Sequence, residues 1–297
     1  MQRVVVNGVS CSTQALLQTL IASPLDLEIG CYEPDPALVD VAGLTALSQI
    51  CHNTFIKVTP KVLKTADVLI LTDTGTPTDE NFVMANIASI RKVLNSAMAA
   101  GFTGRVVVAM THDEPFTYFA QRFSGLNKRQ VVGLGTFGAT WRFEQFLADR
   151  LAVPAQQVTA YVVGTSQLPV LIWSWAYVGA TPILRLLNDD QAVFNEAASA
   201  VQAFLAGALT ALVGRLVEPI LAAFAGEKLI GTFTHLRDSD DETGQVDSSP
   251  ILLDERGVVT LATVAGSDDE EAALSTAIQA VQAEIEAIEQ GAGKNET

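Results

Sequence analysis

His112 follows an apolar run, Val106–Met110, and immediately precedes Asp113. An imidazole beside a carboxylate is a pairing used in general acid–base catalysis, so His112 is a candidate base. The plainer reading is a half-exposed loop histidine ahead of a helix. Arg142 carries a guanidinium fork that suits a carboxylate. Left unpaired in an apolar pocket it is expensive, so it is expected to meet a ligand carboxylate or an internal acidic partner. Near the start, VVVNGVSCSTQALLQTL places Gly8, Ser10 and Thr13 in a turn between strand and helix. There the hydroxyls and the helix N-terminal amides can hold an anion. Cys11, Cys31 and Cys51 are an odd number at wide spacing with no C-x-x-C, which reads as reduced, mostly buried thiols rather than a disulfide framework or zinc site. His52 and His235 carry no partner pattern. The acidic clusters Asp238, Asp240, Asp241, Glu242 and Asp268–Glu271 read as solvated loops or helix N-termini, and no metal is expected at either.

The elements around these residues change character along the chain. Val4–Val6, Leu27–Cys31, Thr54–Val58, Val68–Thr72, Val106–Met110 and Val131–Leu134 are short, mostly uninterrupted apolar runs, as a parallel sheet covered on both faces requires. Helical patterns lie between most of them, over Thr13–Ala22, Pro36–Gln49, Asp79–Ala100 and Glu114–Ser124. Such alternation predicts a doubly wound domain that binds ligands beyond the carboxyl ends of its strands. A helix is predicted over Thr136–Ala152 and a strand over Val158–Gly164. Then follow a long Ala/Leu-rich helical region, Asp189–Phe224, bent at Gly207 or Gly214, and strands over Lys228–Leu236, Pro250–Leu253 and Gly257–Leu261, the last two joined as a hairpin. A final helix over Glu270–Gln290 carries Leu274, Ile278, Val281, Ile285 and Ile288 at helical spacing, and Gly291–Thr297 is expected to fray.

The stretch Val131–Ile183 resembles the L-lactate/malate dehydrogenase family. Members carry G-T-x-x-D-x-x-R-F, then A-Y-V-x-G-x-H-G, W-S and G-x-P. This chain keeps Gly135, Thr136, Arg142, Phe143, Ala160, Tyr161, Val162, Gly164, Trp173, Ser174, Gly179 and Pro182. Ala66–Pro77 (ADVLILTDTGTP) is similar to the family's fourth strand and the loop after it. The resemblance implies an α/β fold: an N-terminal Rossmann-like doubly wound parallel sheet (1–139) and a C-terminal α+β domain of the lactate/malate dehydrogenase type (140–297). The C-terminal domain would serve substrate binding and oligomerisation. It also implies NAD as cofactor and hydride transfer between L-2-hydroxy acids and 2-oxo acids.

Carried over residue by residue, the resemblance assigns Arg142 to the substrate carboxylate and puts Ser166 at the position of the catalytic histidine. Ala139 stands where the aspartate that orients the histidine belongs. A serine hydroxyl cannot act as that base unaided. The loop Thr76–Asn81 has no arginine to polarise a carbonyl; the nearest, Arg91, lies well inside the next helix. Thr111 stands for an asparagine that meets nicotinamide and substrate. On the cofactor side, the three glycines of the phosphate turn align with Gly8, Ser10 and Thr13. Thr13 is expected to push its helix from the strand unless the crossing adjusts. Cys31 aligns with the acidic residue that binds the adenine ribose, and Glu33, two residues on and so on the same strand face, is a substitute. Thr72 and Gly75 would pass beside the adenosine and pyrophosphate, where Asp73 adds negative charge. Leu205 falls near a substrate-contacting threonine. Trp141 is expected to fill volume vacated by the aspartate or substrate, and Trp173, Trp175 and Tyr177 read as core or subunit-interface aromatics.

Two functions compete. One is an active NAD-dependent 2-hydroxyacid dehydrogenase with relocated groups, His112 among them. The other is a catalytically degenerate relative, a pseudoenzyme that binds a small carboxylate or partners an active subunit. The losses fall on the chemistry while packing positions hold, which favours the second. The family's dimers and tetramers imply a homo-oligomer. A formal net charge of −15 argues against nucleic acid and anionic membranes. No uncharged apolar run reaches membrane-spanning length, and the start runs straight into a strand, which reads as cytoplasmic.

Overall fold

The computed structural model describes residues 1–187, 191–207, 209–237, 245–261 and 266–294. The apolar runs of the first half become strands and the amphipathic stretches become the helices that cover them. In order these are β1 (Gln2–Asn7), α1 (Cys11–Ala22), β2 (Leu27–Tyr32), α2 (Val41–Ser48), β3 (Thr54–Lys57), α3 (Pro60–Lys64), β4 (Val68–Thr72), α4 (Phe82–Ala100), β5 (Arg105–Ala109), α5 (Asp113–Ser124) and β6 (Val131–Gly133). The six strands pair in parallel in the order β3-β2-β1-β4-β5-β6. The strand order reverses between β1 and β4, and the crevice at their carboxyl ends is where such sheets bind ligands. Val4, Val5 and Val6 are fully buried, as two covered faces demand.

The second half comprises α6 (Phe137–Leu151), β7 (Val158–Gly164), β8 (Pro169–Val178), β9 (Thr181–Pro182), α7 (Ile183–Leu187), α8 (Gln191–Gly207), α9 (Leu209–Phe224), β10 (Leu229–Leu236), β11 (Val246–Asp254), β12 (Gly257–Thr260) and α10 (Asp268–Lys294). Its antiparallel sheet runs β10-β11-β7-β8-β9, with β12 against β11. The architecture is therefore a Rossmann-like doubly wound sheet followed by an α+β part. The hydrophobic core is continuous between them: Val213, Val217 and Ile220 of α9 pack in one cluster with Val4, Ile29 and Ile70 of the parallel sheet and with Phe233 and Ile251 of the antiparallel one. On the sheet's other face Ile87, Ile90 and Leu94 of α4 join Phe116 of α5 and Val281 and Ile285 of α10.

Several boundaries differ from expectation. The helix expected from Pro36 begins at Val41, because the Asp40 side chain caps it by accepting from Gly43 N. The short α3 has its own signals, a Thr59 cap and Pro60 in the first turn. The expected long helix breaks after Gly207, and Asp189 lies outside the described residues. Helix α10 continues to Lys294, past the expected fraying point, with Asp268–Glu271 in its first turn as expected. The Asp238–Glu242 cluster lies outside the described residues. The expected division at 139/140 falls inside α6. Among the described residues no single helix is long and apolar enough to cross a membrane; α8 and α9 reach that apolar length only when joined.

Candidate functional site

Among the described residues, seventeen meet at a cavity of about 430 Å³ at the carboxyl end of β5. Thr111 and His112 come from the β5–α5 junction, Gly135, Gly138 and Ala139 from the start of α6, Ser166 and Gln167 from the β7–β8 loop, and Pro77 from the loop after β4. Gln202, Phe204 and Leu205 of α8 and Leu216 of α9 form the far wall. Phe204 and Leu216 are also the atoms a side chain at Gly138 would meet, at 3.0 and 3.2 Å.

His112 caps α5 with a left-handed backbone (φ 62°), a conformation uncommon outside glycine and often found at functional sites. It is not the half-exposed loop histidine of the plainer reading. Its Nδ1 lies 2.8 Å from Ser166 Oγ, its Nε2 touches Gln167 Nε2, and its side chain is 19 % exposed. Ser166 is held in turn by Glu114: its backbone N–H donates to Oε1 at 2.6 Å and its hydroxyl to Oε2 at 3.0 Å. The structure therefore brings together His112 and Ser166, which stand 54 residues apart. Burial pushes the His112 pKa below the usual histidine range, with Glu284 opposing. Burial raises that of Glu114, and the Ser166 donors restrain it.

Asp113 faces the other way. It accepts from Gly135 N at 2.7 Å and from Thr234 Oγ1 at 2.8 Å, and Thr234 pairs with Ser248 at 2.9 Å. Burial, and then the neighbouring Glu114, lift its pKa well above the carboxylate range. Asp113, paired with His112 on sequence, thus turns away from it, and Glu114 was not singled out by the sequence; an acidic pair opening an otherwise apolar helix, DEPFTYFA, was the available signal.

Arg142 does not join the cavity lining, although it lies one turn beyond Gly138 on α6. It is half-buried, and among the described residues it has no acidic partner, so the expected internal ion pair is not found there. Among the described residues no lysine or arginine lines the cavity. Trp141 does not fill vacated volume. It is 40 % exposed and stacks on Phe137 with ring centres 4.5 Å apart. Trp173 is a core aromatic, edge-on to Phe143 and Phe194, whereas Trp175 and Tyr177 are exposed. Arg91 stacks over Phe123, away from the cavity.

At the β1–α1 turn the polar atoms are turned inward. Gly8 stays tight, because an added Cβ would lie 2.5 Å from Pro34 Cα. Ser10 is buried; its hydroxyl accepts from Ser12 N as the α1 cap and bonds Ser12 Oγ at 2.8 Å. Thr13 does not push the helix off the strand, because its hydroxyl bonds Asn7 O at 3.2 Å and Thr72 Oγ1 at 3.0 Å. Thr72 also bonds the Asn7 side chain. Gly75 takes a left-handed φ of 78°. Thr111 donates its N–H and hydroxyl to Asp73, whose pKa burial raises to about 6. Glu33 does not continue the face of Cys31: β2 ends at Tyr32, Glu33 turns left-handed (φ 45°), and its carboxylate pairs with Lys92 at 2.7 Å. That pairing holds the Glu33 pKa down.

The remaining expectations resolve simply. Cys31 is buried and free, its thiol pushed up to about 12 by burial, and Cys51 is free and half-buried; the side chain of Cys11 lies outside the described residues. His52 lies 3.8 Å from Asp26 at the surface, and buried His235 meets Phe233 O at 3.2 Å. Among the described residues no cluster has the makings of a metal site.

Parallel sheet, antiparallel partner and a cavity where they meet define a dehydrogenase-type architecture. The minor L-lactate dehydrogenase of Enterococcus mundtii, in its ligand-bound form, superposes with a TM-score of 0.85 at 21 % identity, over 97 % of this chain and 98 % of that one. The lactate dehydrogenase of Cryptosporidium parvum, complexed with lactic acid and β-nicotinamide adenine dinucleotide, gives 0.83 at 15 % identity over 97 % and 98 %. In sequence, the L-lactate dehydrogenase of Geobacillus stearothermophilus is 40 % identical over 112 residues, 37 % of this chain and 35 % of that one. L-lactate dehydrogenase 2 of Enterococcus faecalis is 32 % identical over 124 residues, 39 % of each. The matched segments span only about a third of these curated relatives. No family model matches the chain. The chain is thus similar to L-lactate dehydrogenases in sequence over little more than a third of its length and in fold over nearly all of it.

Proposed function

We propose that this protein is a lactate/malate dehydrogenase-type oxidoreductase in lineage whose family reaction, NAD-linked hydride transfer on L-2-hydroxy and 2-oxo acids, is degenerate. It binds a small molecule in the cavity without turning it over at dehydrogenase rates. The observation that carries this reading is the lining itself, which has no cation to receive a substrate carboxylate, while Arg142 lies outside it. A carboxylate taken out of water needs such a partner. The polar atoms of the β1–α1 turn bond one another, and the acidic side chains nearby, Asp73, Asp113 and Glu114, offer a phosphate or carboxylate no positive charge. The residues present do not fit the dinucleotide in the manner of the family. An oligomer and a cytoplasmic setting are proposed by analogy with the family.

The test is titration with NADH to millimolar concentration, followed by nicotinamide fluorescence and thermal unfolding. A ligand well above its dissociation constant must raise stability by mass action. The expected result is no shift, and no NADH oxidation with pyruvate or oxaloacetate above the rate without protein. Saturable binding with turnover overturns this reading. The second reading, an active dehydrogenase with relocated groups, is favoured by one observation: His112 reaches Ser166, the position aligned with the family's histidine. Its signature is turnover that His112→Gln abolishes.

A further inference from the structure

Glu114, when ionised, accepts hydrogen bonds and cannot donate them. It takes both donors of Ser166, the backbone N–H and the hydroxyl. The single hydroxyl proton of Ser166 therefore points at the carboxylate, and its oxygen turns a lone pair toward His112 Nδ1, 2.8 Å away. That leaves Nδ1 as the protonated nitrogen and Nε2 as an acceptor, and the group against Nε2 is the amide nitrogen of Gln167, a donor. All four contacts agree in direction. We propose that Gln167, His112, Ser166 and Glu114 form one directional donor chain ending on a buried carboxylate. The chain presents His112 Nε2 as the acceptor for the hydroxyl of a small uncharged alcohol. This rests on the reading that the cavity is a small-molecule site.

The exposed Gln167 amide holds the place the ligand hydroxyl takes. The imidazole is steered by a carboxylate through a serine, and the steering group comes from the helix that His112 itself caps. Beyond the hydroxyl the ligand meets Leu205, Phe204 and Leu216, which suit an alkyl stem and not a charged one. The titratable groups facing His112 are acidic: Glu114 on α5 and Glu284 on α10, with Asp247 on β11 acting on Glu114 and held by Arg237. Acid weakens binding, because a protonated Nε2 can no longer accept.

The test uses full-length protein labelled with ¹⁵N-histidine, whose long-range ¹H–¹⁵N correlations distinguish a protonated from a bare ring nitrogen. At pH 8 the wild type is expected to show His112 with Nδ1 protonated and Nε2 bare. Ser166→Ala is expected to release the tautomer toward the Nε2-protonated form and to move the His112 titration, while Ser166→Thr restores both. Glu114→Gln is expected to act like Ser166→Ala, and backbone amide spectra of each variant report whether it is folded. A predominantly Nε2-protonated wild type, or a tautomer indifferent to a folded Ser166→Ala, overturns the chain. The ligand class is probed with propane-1,2-diol against L-lactate, which shares the alcohol and adds a carboxylate. The diol is expected to shift His112 Nε2 and the Leu205 and Leu216 methyls saturably, and lactate at equal concentration is not. Preference for lactate overturns the uncharged-alcohol assignment. Silence from both probes, with the tautomer as expected, rejects the small-molecule reading and its ligand while leaving the chain standing.

Discussion

The β1–α1 turn and the β5–α5 junction sit on the same edge of the same sheet, yet they have diverged in opposite ways. At the first, positions that are glycines in the family's phosphate turn carry hydroxyls, and those hydroxyls bond inward: Ser10 to its own helix, Thr13 to Asn7 and Thr72. At the second, the hydroxyl of Ser166 joins a polar chain that opens on a cavity. The same kind of substitution closes one site and furnishes the other. What separates them is the kind of partner: at the turn the hydroxyls meet backbone groups and other hydroxyls, at the junction a buried glutamate.

The contrast breaks most sharply at Asp113. Asp113→Ala strips the acceptor from Gly135 N and Thr234, and buried groups left without a partner cost about 1–3 kcal/mol each. Chemical denaturation is expected to register a loss of about 2–4 kcal/mol; a neutral outcome would mean that the buried network adds nothing to stability. Next in size is Asp73, between the two regions. Its folded pKa of about 6 lies above the ordinary 3.8, so the folded state holds the proton more tightly. Stability is then retained below pH 3.8, falls as pH rises to about 6, and is flat beyond. Asp73→Asn, which keeps an acceptor for Thr111, is expected to remove that fall and gain roughly 2 kcal/mol at pH 8, read from denaturation midpoints across pH. Thr13→Gly restores the family residue and is nonetheless expected to lose about 1–2 kcal/mol, through a missing buried hydroxyl and a glycine inside a helix. NADH affinity is expected not to rise; a gain would show the turn to be one residue from function. The smallest effect is at Lys92. Its pair with Glu33 is exposed, so Lys92→Ala is expected to leave the denaturation midpoint where it is in wild type.

The fold was largely legible because its signals are local. Runs such as VVV and VLILT admit little besides buried strands, and Leu274, Ile278, Val281, Ile285 and Ile288 mark one face of α10, with Val281, Ile285 and Ile288 buried. Strand β8 was harder: PVLIWSWAYV mixes outward aromatics with inward Ile172 and Ala176, and its Trp173, Trp175 and Tyr177 read as core or subunit-interface aromatics without a strand to carry them. The cavity was legible only in part. Arg142, Ser166 and Leu205 can be placed by alignment, but alignment does not say that Arg142 stays out of the lining. The meeting of His112 with Ser166 depends on how a loop of one sheet falls over the edge of the other, which no local pattern encodes. Glu114 was overlooked because an acid in the first turn of a helix ordinarily answers to the helix dipole, and nothing in its neighbours announces burial.

Gly135 marks the point where the two sheets touch. An added Cβ there would fall 2.5 Å from Ser248 Oγ and 2.6 Å from Thr234 N, and the Asp113 carboxylate bridges Gly135 to Thr234 across the seam. One carboxyl group thus fastens the cavity floor to both sheets, so a change at this contact reaches the two halves together.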